Sequence, residues 1–134
     1  MYRLISILVV LASVNVNAES LNIYDVLEEK CGMLPQSDYN ACVSEEYLKV
    51  DKELNTIFSE VKNELLDSSG LVKAELEWIK FRDLSCKFEN SSWSPEGTGY
   101  NSRINLCMMH FTKVRINDLK RYKSMKCNGC PERK

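Results

Sequence analysis

Several residue groups in this chain could do chemistry. Cys127-Asn-Gly-Cys130 has the spacing of a thiol–disulfide redox motif. Such motifs work at the start of a helix in a strand–helix setting, where the helix dipole lowers the thiol pKa. Here the motif follows the last helical segment, with no strand pattern nearby, so it reads as a tail disulfide. A zinc site needs a second such pair or histidine partners. The chain has one histidine, His110, in a Met-Met-His-Phe run, and no metal or other cofactor is expected. Glu45, Glu46, Asp51 and Glu53 are dense enough to suggest glycoside hydrolysis, which needs two converging carboxylates. Dense acids on one helix more often form a solvated face. No Gly-x-Ser-x-Gly nucleophile elbow is present. No catalytic residue is assigned, and the chain reads as a non-enzyme.

The most informative short run is Trp78-Ile-Lys-Phe-Arg-Asp-Leu-Ser-Cys86. Trp78 and Arg82 are four residues apart and share a helix face. Trp78 belongs to an apolar stripe, so Arg82 lies at a helix seam, where its guanidinium needs an acceptor. Asp51 and Asp83 are the candidates. The expected role is a polar clamp that fixes helix register.

The elements that must carry these groups are helices. Apolar spacing returns to three and four throughout, and strand alternation is nearly absent. A long helix is expected over about Asp38–Leu66, roughly 40 Å at the usual rise. Its stripe is Val43, Tyr47, Val50, Leu54, Ile57, Val61 and Leu65. Ser37 or Asp38 is expected to cap it, and Gly70 to end it in a left-handed turn. A second helix is expected over Leu71–Phe88, with Leu71, Ala74, Trp78, Phe81, Ser85 and Phe88 as its face. A third is expected over Ser102–Tyr122, with Ile104, Cys107, Met108, Phe111, Val114 and Leu119 inward. A short helix at Asn22–Glu29 precedes them. The fold class is therefore all-α: a small, disulfide-stapled, antiparallel up-down-up bundle of three long helices plus a short N-terminal one. Between the second and third long helices, Asn90–Ser102 carries Pro95, Gly97 and Gly99 and forms the one long connection.

Residues 1–18 have a positive start at Arg3, an apolar core and small residues before Glu19, the pattern of a signal peptide cut after Ala18. Removing them leaves 116 residues, one domain, with a net charge of −2. The expected organisation is signal peptide 1–18, helical domain 19–126 and a short tail 127–134. That charge balance argues against a nucleic-acid partner. The apolar run is too short for a stable membrane anchor. Residues 19–67 carry a net −8 and residues 68–134 a net +6. An acidic helix packed beside basic ones accounts for this, and an acidic face for a basic partner is the alternative. The oligomeric state is open.

Six cysteines behind a signal peptide imply disulfides and an oxidising compartment, periplasmic or secreted. Helix ends suggest the pairing. Cys31 precedes the first long helix and Cys42 lies one turn inside it. Cys86 and Cys107 flank the long connection, and Cys127 and Cys130 are left for each other.

Taken in order, Cys31, Ala41-Cys42, Asp51-Lys-Glu-Leu-Asn55, Trp78-x-x-x-Arg82-Asp83-x-x-Cys86, Gly97-Thr98, Cys107, Thr112, Arg115 and Leu119 resemble the secreted LprI-like lysozyme-inhibitor family. The resemblance covers about Cys31–Tyr122. Glu75 stands where the family pattern suggests Gln, and the Asn90–Ser102 loop is somewhat long. The resemblance implies a structural polar motif of Asp51, Asn55, Trp78, Arg82, Asp83, Thr112 and Arg115. It also implies a periplasmic protein partner, a lysozyme that attacks the bacterial wall. Trp93, Glu96 and Tyr100 in the long loop are the candidate partner-binding residues. A periplasmic immunity or envelope-stress protein with a different partner is the alternative reading.

Overall fold

The computed structural model describes residues 23–134; the expected signal peptide, 1–18, lies outside them. Four helices follow in order: α1 Ile23–Cys31, α2 Gln36–Glu64, α3 Ser69–Glu89 and α4 Tyr100–Ser124. The described chain is all-α, with one isolated bridge between Leu65 and Arg133.

The closest packing is between α2 and α4, which run side by side in the same direction. Val43 meets Leu106 and Met109, together with Leu27 and Cys31 of α1. Further along, Leu54 meets Ile116 and Leu119. Between them in sequence, α3 runs back antiparallel. Leu71 and Trp78 reach the second cluster from the α3 side. Glu53–Lys120 at 2.9 Å and Glu60–Lys123 at 2.8 Å bridge α2 and α4, so much of the acid-rich half faces the base-rich half across one interface. Exposed pairs like these each contribute only about 0–1 kcal/mol.

Two expected faces are rotated. On α3, Phe81 is 58% exposed and Phe88 is 79% exposed, while Glu75, Arg82 and Cys86 are buried. Polar groups occupy the inward face because they have partners on α4, and the Cys86–Cys107 bond sets the helix rotation. Phe81 keeps an edge-on contact with Phe111, ring centres 5.7 Å apart. On α4, Val114 is 51% exposed. Leu106, Met109, Ile116 and Leu119 pack against Val43 and Leu54 of α2, and Thr112 is buried against Arg82 of α3. Because α4 touches both other long helices, its buried face is broader than one stripe.

The helix ends also differ from expectation. Neither Ser37 nor Asp38 caps α2. The helix already begins at Gln36, behind Pro35, whose carbonyl accepts the Tyr39 N–H at 2.8 Å. Proline's fixed φ supplies the entry, and residues 37 and 38 fall inside the first turn. Gly70 does not stop a helix; it sits in the first turn of α3. What ends α2 is the tail. Leu66 N–H donates to the Glu132 carbonyl at 3.0 Å, and Lys134 N–H to the Glu64 carbonyl at 2.9 Å. Leu65 becomes extended to allow this. Asp67 then accepts the Ser69 N–H at 2.8 Å, which holds its carboxyl below the usual range.

Disulfides join Cys31 to Cys42, Cys86 to Cys107 and Cys127 to Cys130, with Cα separations of 6.0, 5.6 and 5.2 Å. Gly129, at φ +85°, lets the chain reverse between the last two. On the far side of that turn, Arg133 bonds Glu64 and the Tyr122 carbonyl, so the tail is docked across the bundle end. Opening Cys86–Cys107 by a double Ser substitution is expected to cost about 3 kcal/mol, and opening Cys127–Cys130 less, because the first closes a much longer loop. Urea unfolding of the two variants measures the difference.

Candidate functional site

Two regions qualify as a site: the seam between the long helices and the loop joining α3 to α4. The seam is built around two buried guanidinium groups. Arg82, on α3, donates Nε to Asp83 Oδ1 at 2.9 Å, and its Nη2 sits 2.9 Å from the same oxygen. Its Nη1 points at Thr112 Oγ1, 3.4 Å away on α4, and lies 3.8 Å from Asp51 Oδ1 on α2. Arg115, on α4, reaches back to α3. Its Nε donates to Glu75 Oε2 at 2.9 Å, and its Nη2 sits 2.8 Å from the same oxygen. The Nη2 contact is off the hydrogen-bonding axis, so it acts as an ion contact. Nη1 of Arg115 is 3.5 Å from the Tyr122 hydroxyl.

Trp78 lies between the two cations. The Arg82 guanidinium is 5.2 Å from its ring and that of Arg115 5.7 Å. The indole face carries negative charge and stabilises both. Asn55 donates to the Asp51 carbonyl at 2.8 Å and to its carboxylate at 3.1 Å, fixing that side chain. Beside the seam, burial pushes the Tyr47 phenol up, keeping it a neutral donor; Arg82 opposes the shift, while Asp51 and Asp83 add to it.

Thus Asp51, Asn55, Trp78, Arg82, Asp83, Thr112 and Arg115 come together on three helices. Sequence reasoning missed Glu75, the partner of Arg115. Two signals pointed to it: it lies seven residues before Arg82, on the same face, and it stands where the family pattern suggests Gln. A carboxylate there meets a buried arginine with charge.

Between α2 and α3 the seam opens into a cleft of about 340 Å³. Leu54, Phe58, Leu76 and Ile79 form its apolar walls, with Asp51 and Arg82 on the polar side.

The loop is pinned by its own turns. Trp93 N–H donates to the Asn90 carbonyl at 3.0 Å, Gly97 N–H to Ser94 at 2.9 Å, and Asn40 of α2 holds the Thr98 carbonyl at 2.6 Å. Trp93 is 43% exposed, with the Arg103 guanidinium 4.5 Å from its ring. Glu96 is exposed, and the Ser94 hydroxyl bonded to it at 2.7 Å draws its carboxyl below the usual range. Tyr100 is the first residue of α4 rather than a loop residue. It lines a recess with Asp83 and Lys87, whereas Trp93 lines another with Tyr39 and Gln36. The structure therefore separates these two aromatic residues.

Of the dense acids of α2, Glu46 and Glu53 are engaged in close ion pairs. Lys30 at 2.7 Å and Lys49 at 2.6 Å hold the Glu46 carboxyl below its ordinary value. Glu53 meets Lys120. Among the described residues, no group of three His, Cys, Asp or Glu side chains is placed to hold a metal.

The family model of the lysozyme inhibitor LprI matches residues 29–119. The chain belongs to the LprI family. No curated protein and no solved structure matches it. The LprI match takes in the end of α1, the whole seam, the loop and two disulfides. It stops before Tyr122 and the Cys127–Cys130 tail.

Replacing Arg115 with Leu is expected to cost about 3–5 kcal/mol, because Glu75 would remain buried and unpaired. Replacing both Glu75 and Arg115 with Leu removes the stranded charge and is expected to recover part of that loss. Denaturant midpoints of the single and double variants check this.

Proposed function

We propose that this protein is a secreted, non-catalytic inhibitor that binds a cell-wall lysozyme. The observation that carries the reading is the LprI family match over most of the described chain. Two properties are compatible with it. Three disulfides fit an oxidising compartment such as the periplasm. No described helix is long and apolar enough to cross a membrane.

A lysozyme works through a carboxylate pair in an open cleft. Blocking that cleft needs shape and no chemistry. In this reading the loop supplies the block. Trp93 is half-exposed and held by Arg103, and a rigid aromatic side chain of this kind suits an interface anchor. Glu96 beside it offers a carboxylate to a basic enzyme surface.

The test is clearing of a cell-wall suspension by lysozymes of several classes, with and without the oxidised mature protein. Slowing at near-stoichiometric ratios is expected with at least one class. Trp93→Ala is expected to weaken that slowing about tenfold or more while leaving the melting temperature within a few degrees. No slowing with any class would assign the domain to another periplasmic partner.

A further inference from the structure

The seam contains three carboxylates and two guanidinium groups, and they do not divide evenly. Asp83 takes two nitrogens of Arg82. Glu75 takes two of Arg115. Asp51 is left over. Its nearest cation nitrogen, Arg82 Nη1, is 3.8 Å from Oδ1, too far for a hydrogen bond. Its other partners are neutral: the Asn55 amide, which donates to Oδ2, and the Tyr47 phenol. The Asp51 side chain is 34% exposed, and it lines the α2–α3 cleft.

The cleft offers apolar walls with one incompletely paired carboxylate among them. Leu54, Phe58, Leu76 and Ile79 can cover an aliphatic stem. Asp51 can receive the cation at its tip. A lysine or arginine side chain has that construction: an apolar stem with a charged head. A free anion would meet Asp51 unfavourably, since Arg82 is already engaged by Asp83. A purely apolar group would leave Asp51 both desolvated and unpaired.

We infer that the α2–α3 cleft is a receptor for a cationic side chain, lysine or arginine, projecting from the lysozyme partner. The inference rests on the proposed inhibitor function for the identity of the partner. Glu45, exposed on α2 and outside the ion pairs with α4, adds to this by drawing a basic surface towards the helix. The cleft is separate from the Trp93 loop, so it adds a second anchor to the one proposed there.

Two readouts separate this inference from the reading beneath it. The first uses Nα-acetyl-arginine amide as a probe on the isotope-labelled full protein, followed by amide chemical shifts. Saturable shifts at Asn55 and Ile79 are expected in the wild type and are expected to be lost in Asp51→Asn. Absence of such shifts in the wild type, or their persistence in Asp51→Asn, overturns the cleft as a cation receptor. The second is calorimetric binding to a lysozyme that the protein inhibits. Asp51→Asn, and Leu76→Trp, which fills the cleft from an exposed position, are each expected to weaken binding about tenfold. Asp38→Asn, which removes one charge from α2 away from the cleft, is expected to change it little. Wild-type affinity in both cleft variants, with melting temperatures unchanged, overturns the assignment of the occupant to the enzyme. If the wild type binds no lysozyme, the inhibitor reading and the assignment of the occupant to the enzyme both fall, and the probe alone decides the cleft.

Discussion

A guanidinium group stays charged at any pH a protein meets, so a buried arginine must bring its partners with it. This fold buries two, Arg82 and Arg115, and much of its geometry follows. Arg82 on α3 is satisfied beside itself by Asp83 and reaches Thr112 on α4. Arg115 on α4 is satisfied across the interface by Glu75 on α3. The two requirements run in opposite directions between the same helices, and Trp78 fills the space between the cations. A shift of α3 by one turn would move Glu75 away from Arg115 and Arg82 away from Thr112 together. The seam therefore fixes register more sharply than apolar side chains, which tolerate sliding.

Disulfides do the corresponding work at the ends. Cys86–Cys107 holds the close of α3 against the start of α4, and Cys31–Cys42 folds α1 back onto α2. At the opposite end the Cys127–Cys130 turn returns the chain so that residues 132–134 run along the end of α2. Arg133 then joins α2 to α4 through Glu64 and the Tyr122 carbonyl. The CxxC spacing suggested a redox motif, but its position after α4 offers no helix N-terminus to stabilise a thiolate. Its visible effect is to aim the tail.

The helical class and the up-down-up order were legible because three- and four-residue spacing persists over long runs. So was the direction of α3, through the order of the cysteines at the helix ends. The rotation of α3 was not legible. Periodicity finds the most apolar stripe, and Phe81 and Phe88 lie on it, yet the buried stripe is the one whose polar members have partners elsewhere in the chain. Partnership is a pairwise property of distant residues and leaves no periodic trace. Glu75 shows the same limit: alone it reads as a solvated acid, and only Arg115, forty positions on, makes it interior. Gly70 and Asp38 failed for a local reason. Their turn and cap preferences are worth about 1 kcal/mol, and docking of the tail and the entry at Pro35 outweighed them.

Much of the polar chemistry that first suggests an enzyme is taken up by the fold. Glu46 is held by two lysines, Glu53 by one, and Asp83 and Glu75 by arginines. A general acid or base needs a proton that can move at working pH. Lys30 and Lys49 hold the Glu46 carboxyl below its ordinary value, which makes it a poor proton donor. What remains on the surface is shape and unspent charge: Trp93 on a pinned loop, Glu96 beside it, and Asp51 in the cleft. Under the proposed function, these features serve recognition. They also divide in kind, since the loop presents a convex aromatic group and the cleft a concave one with a carboxylate. A partner that engages both must offer a hollow in one place and a projecting cation in another. An enzyme with an open substrate cleft and a basic surface has that shape.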